Sequence, residues 1–83
     1  MVKDQRNLVA WLAVWTYLPR EKRRQLTREE IARFAALCRS ICGEAHAPVF
    51  ERLAETNRQP TAATVQCALV AICRVKPEAW DEC

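Results

Sequence analysis

Leu8-Val-Ala-Trp-Leu-Ala-Val-Trp-Thr-Tyr-Leu18 is the stretch on which the fold turns. Thr16 is its only polar side chain, apart from the phenol of Tyr17 and the indole nitrogens. Pro19 and a basic run follow it at once. A helix lying on the surface of a small domain shows one apolar stripe and one polar face. This segment is apolar nearly all round, so it is either the centre of a helical fold or a surface to be covered by a partner.

The rest of the chain is punctuated into helices, and nothing alternates in the manner of a strand. Asp4 is placed to cap a first helix over about residues 5–18, which ends where Pro19 disfavours helical geometry at Leu18. Pro19 is also suited to open a short helix over 19–25. Thr27-Arg-Glu-Glu30 forms a capping box, in which the Thr27 hydroxyl and the Glu30 carboxylate each accept from the other's backbone N–H. Leu26 and Ile31 stand at the positions of a hydrophobic staple. The helix that follows, about 28–42, aligns Ile31, Phe34, Cys38, Ile41 and Cys42 on one face with Leu37 beside it, and Gly43 is its left-handed stop.

Pro48 opens a further helix over about 48–57, with Val49, Phe50, Leu53 and Ala54 turned inward, and Asn57 and Pro60 end it. Gln59 or Thr61 caps a last helix over about 61–75, with the stripe Val65, Ala68, Leu69, Ile72 and Cys73. Pro77 stops it before a short acidic tail, 77–83, that contains Trp80. The expectation is one all-α domain over 1–83, a compact bundle of four main helices and one short one. The short connections favour antiparallel neighbours.

At 83 residues the chain has room for one core only. Apolar residues make up 51% and charged residues 28%, an ordinary globular balance. The net charge of +3 is localised. Residues 1–26 carry Lys3, Arg6, Arg20, Lys22, Arg23 and Arg24 against Asp4 and Glu21, whereas the remainder is slightly acidic. An odd count of five cysteines argues against a disulfide scaffold. Lys3 and Arg6 ahead of the apolar run resemble a signal peptide. However, no small-residue cleavage site follows, and the run is too short to cross a bilayer. These features predict a cytoplasmic protein with reduced thiols.

Two stripes run along the first helix: Leu8, Trp11 or Leu12, Trp15 and Leu18 on one, and Ala10, Val14 and Tyr17 on the other. Three short helices offer too little apolar surface to cover both. Two tryptophans and a tyrosine are also the side chains enriched at interface hot spots. Leu8, Trp11, Val14, Trp15, Tyr17 and Leu18 are therefore the candidate partner-binding residues. A homodimer is the simplest arrangement, one that Trp15→Glu would separate into folded monomers. Arg20, Lys22, Arg23, Arg24 and Arg28 form a basic patch beside them, suited to an acidic rim on a partner or to phosphates.

Residues 50–72 loosely resemble a helix-turn-helix, with Leu53-Ala54 and Thr64-Val65…Leu69 at its packing positions. That likeness implies a DNA-binding transcriptional regulator as the alternative. The second helix of the pair lacks Lys and Arg and offers only Gln66, Thr61 and Thr64 for base contacts. Cys38, Cys42 and His46 at four-residue spacing, with Cys67 or Cys73, imitate a zinc set, but Gly43 interrupts the helix before His46. Cys42 and His46 likewise imitate a nucleophile and base. A core thiol and a loop histidine are the simpler reading. No metal, no cofactor and no catalysis are expected. The chain reads as an interaction module that regulates or inhibits another protein, of the kind that phages and other mobile elements often encode.

Overall fold

The computed structural model describes residues 3–77. They form α1 (Lys3–Tyr17), a single 3-10 turn (Arg20–Lys22), α2 (Arg28–Cys42), α3 (Ala47–Glu55) and α4 (Ala62–Val75). The fold is all-helical, and no strand occurs among the described residues. α2 packs along α3, while α4 lies against both α1 and α2. The described residues fit within 29 × 26 × 20 Å.

The capping box at Thr27 is complete. Thr27 Oγ1 accepts from the Glu30 N–H at 3.0 Å, and Glu30 Oε1 accepts from the Thr27 N–H at 2.8 Å. Leu26 and Ile31 are both buried on either side of it. Thr61 caps α4 by accepting from the Thr64 N–H at 3.1 Å. Gln59, the other candidate cap, has a different task. Its amide donates to the Leu26 carbonyl and accepts from the Leu26 N–H, both at 2.8 Å. This two-way bond ties the α3–α4 connection to the segment leading into α2. It satisfies backbone groups that have no helical partner.

Four expectations are corrected. Asp4 stands in the first turn of α1 and is not its cap. The helix expected over 19–25 is one 3-10 turn with Pro19 as its N-cap, after which Arg23 is extended at φ −80° and ψ 113°. A longer helix there would hold Leu26 away from the core it enters. Gly43 has the positive φ of 67°, but its ψ of −132° lies outside the left-handed helical region. Val49 is 50% exposed. α3 is nine residues long and faces α2 with Ala47, Phe50 and Ala54, which leaves Val49 on its far side.

α3 ends in a Schellman pattern around Asn57, whose φ is 54°. The Arg58 N–H donates to the Leu53 carbonyl at 2.9 Å and the Asn57 N–H to the Ala54 carbonyl at 3.3 Å. Asn is the residue other than Gly that best tolerates this conformation. At the centre of the core, Phe34 of α2 meets Phe50 of α3 edge to face, with ring centroids 4.9 Å apart and planes at 80°. Leu12 and Val9 of α1, Ile31 and Cys38 of α2, and Val65 and Ile72 of α4 are fully buried with them.

Candidate interaction surface

α1 divides by angle. Leu8, Val9, Leu12, Ala13 and Trp15 are buried, an arc of roughly 160° on the helix circumference. Val14 and Tyr17 lie on the opposite side, 60% and 83% exposed. Leu18, just past the helix end, is exposed at its edge, and Ala10 is half-buried. The stripe Leu8–Trp15 thus belongs to the chain's own core, and the stripe containing Val14 and Tyr17 is left to solvent.

Of the six candidate partner-binding residues, Leu8 and Trp15 are unavailable to a partner. Trp15 is only 4% exposed, and its Nε1–H donates to the Arg24 carbonyl at 2.8 Å. Trp11 is half-buried beneath the Arg24 guanidinium, which sits 4.4 Å from the ring centroid. Val14, Tyr17 and Leu18 are the candidates left exposed. α4 adds Val70, 46% exposed, a residue with no place in the sequence-derived set. Between the two helices runs a groove of about 290 Å³ whose lining includes Ala13, Tyr17, Leu69, Val70 and Cys73. Thr16 and Gln66 are neutral members of this lining, and Arg74 is its single charge. The Thr16 hydroxyl is satisfied by donation to the Ala13 carbonyl at 2.7 Å.

The basic patch divides, with Arg20, Arg23 and Arg24 at one groove and Arg28 apart from them. Arg24 is committed internally: Nη1 and Nη2 donate to Glu30 Oε1 and Oε2 at 3.0 and 2.8 Å, and Nη1 also donates to the Gln25 carbonyl. Arg23 lies 5.5 Å from the Trp15 ring centroid and donates to the Leu18 carbonyl at 2.9 Å. Arg28 faces away, onto a separate groove between α2 and α3. Arg20 and Lys22 are exposed on the turn itself. Part of the basic run therefore lies over the two tryptophans of α1, with Arg24 exposed and Arg23 half-buried. The signal was present in the sequence as Arg residues placed after an aromatic helix, but the pairing depends on the extended path through 23–26.

The Arg24 forks hold the Glu30 carboxyl down at about 2, with the Thr27 backbone N–H adding to the effect and partial burial opposing it. A carboxyl depressed in the folded state contributes stability above its unfolded pKa and loses that contribution as pH falls toward the folded value. Acidification from about pH 5 to about pH 2 is therefore expected to lower the urea midpoint of the native chain. Glu30→Gln, which keeps an acceptor for the capping box, should lower the midpoint at neutral pH and flatten this acid dependence. An identical slope in both proteins would exclude the pair as its source.

Cys38, Cys42 and Cys73 pack at least partly inside, whereas Cys67 is exposed. Cys38 is buried and its pKa is pushed up to about 12 by desolvation, with Cys42 beside it adding to the shift. Desolvation also raises Cys42. Both are therefore protonated at neutral pH and poor nucleophiles. His46 is the residue preceding α3, beyond the helix break at Gly43. No group of three or more His, Cys, Asp or Glu side chains is gathered as a metal site among the described residues. Cys83, Trp80 and the acidic tail from Glu78 lie outside the described residues. No described helix is long and apolar enough to cross a membrane.

The resemblance to a helix-turn-helix weakens at α4. Its exposed positions are Ala63, Gln66, Cys67, Val70, Arg74 and Val75, a largely uncharged surface with few groups able to read base edges. α3 has α2 as its main neighbour, whereas α4 has α1 and α2. Together these features define a small all-α domain with one aromatic–apolar face and a basic turn beside it. Family models, curated proteins and solved structures give no match to this chain.

Proposed function

We propose that the protein is a small helical interaction module that binds and regulates or inhibits another protein, and that it associates as a homodimer. The observation that carries this reading is the exposure of Tyr17 and Val14 on a helix whose other side is core. Such side chains in water form the apolar patch typical of an interaction site. Tyr supplies large contact area with few rotatable bonds and a hydroxyl for the rim. Self-association suits this face because its groove lining is neutral except for Arg74. A two-fold interface sets the same patch against itself, so a charged face repels its copy and a neutral one does not. Arg20 and Lys22 stand beside this surface on the exposed turn and suit an acidic rim on the regulated protein.

Light scattering over a wide concentration range should give about twice the mass of one chain. Tyr17→Glu should return the monomer mass with an unchanged far-ultraviolet circular dichroism spectrum, because Tyr17 contributes nothing to the core. A wild-type chain that stays monomeric throughout would overturn the dimer. A cellular protein retained equally well by the wild type and by Val14→Asp/Tyr17→Glu would overturn the assignment of this face.

A further inference from the structure

The turn after α1 builds a second surface of opposite character. The 3-10 turn and the extended residues behind it bring Arg20, Arg23 and Arg24 to one groove of about 620 Å³. Its remaining lining is Trp15, Gln25 and the segment Gln59–Ala62 that leads into α4. No Asp or Glu lines it. The volume falls within the range of small-molecule sites.

The three guanidiniums differ in what they have left to give. Arg24 is neutralised by Glu30. Arg23 uses Nη1 on the Leu18 carbonyl, and no hydrogen bond from its Nε or Nη2 is made among the described residues. Arg20 has neither a hydrogen bond nor an ion pair from its side chain among the described residues. Of the neutral donors nearby, Gln59 is engaged with Leu26 and the Thr61 hydroxyl with Thr64. Two cations without an ion-pair partner among the described residues thus share a concave site walled by an indole and proline, where the local potential is concentrated.

We propose that this groove binds a phosphate-bearing small molecule, with its terminal phosphate held between Arg20 and Arg23. A planar carboxylate is filled by one guanidinium fork, whereas the tetrahedral oxygens of a phosphate accept from two forks approaching on different sides. The Arg23 guanidinium is held in place by the Trp15 ring and the Leu18 carbonyl, so less freedom is lost on binding. The groove uses neither Val14 nor Tyr17 and shares only Arg20 with the interaction surface above.

Pyrophosphate is the probe, titrated into the full chain by calorimetry at constant ionic strength, with tryptophan fluorescence as a second readout. A saturable response is expected, absent when sodium chloride of matched ionic strength replaces pyrophosphate. Arg20→Gln/Arg23→Gln should weaken it by about tenfold or more. Arg20→Gln alone disturbs no internal bond and should show part of that loss, while Lys22→Gln, outside the groove, should show none. An equal response to chloride, full retention in the double variant, or equal loss in Lys22→Gln would overturn the site. Salt-sensitive binding of duplex DNA without any pyrophosphate response would also overturn it and assign the arginines to a nucleic-acid backbone.

Discussion

Trp15→Glu unfolds the protein, whereas Tyr17→Glu two positions away leaves it folded. Trp15 is 4% exposed, so the variant places a carboxylate in a buried position, where Arg23, 5.5 Å from the native ring centroid, offsets only part of the desolvation cost. Truncating a buried Trp costs about 3–5 kcal/mol before any charge is considered. The bond from Nε1 to the Arg24 carbonyl is also lost, leaving that carbonyl short of a donor. A single domain of this size has a stability on the order of 4–10 kcal/mol, so the sum removes most or all of it. Far-ultraviolet circular dichroism at room temperature should show loss of helix for Trp15→Glu and a native spectrum for Tyr17→Glu. A native spectrum for both would mean that Trp15 is not a core residue. Trp15→Phe should stay folded, because the ring volume is largely retained while one hydrogen bond is given up.

Phe34→Ala is the second large effect. Phe34 and Phe50 are both fully buried, and their edge-to-face contact is the main aromatic link between α2 and α3. Removing the ring should cost about 3–5 kcal/mol, combining lost transfer energy with an unfilled cavity. That corresponds to a fall in Tm of roughly 15–30 °C for a domain of this length. A double-mutant cycle with Phe50→Leu should return a coupling of about 0.5–1.5 kcal/mol, the part due to ring geometry beyond area. Additive losses within about 0.3 kcal/mol would show that the two rings act only as bulk.

The helices themselves were legible in the sequence because their signals are local. Thr27 and Glu30 stand three residues apart and find each other in any chain that starts a helix there. Phe34, Cys38 and Val65 fall on their inward faces by the 3.6-residue period. Asn57 marks the end of α3 because few other residues accept its positive φ. Where the expectation failed, a local rule met a distant partner. The short helix over 19–25 gave way to one turn because Leu26 is drawn to the core and its backbone to Gln59.

The candidate site was legible only by half. Sequence spacing separates the first helix into two stripes, and it lists both as apolar with equal force. Which stripe turns inward depends on what packs against α1, with α4 its main helical neighbour: Leu8, Leu12 and Trp15 are buried, and Val14 and Tyr17 are left outside. The basic run was similarly ambiguous, since a guanidinium that binds a partner and one that clamps an indole have the same local sequence. The Leu8–Leu18 segment by itself determined that the first helix has more apolar surface than one small core can use. Only the tertiary structure decided which residues were surplus, because burial is set by the helices packed against a face and not by the face's own periodicity.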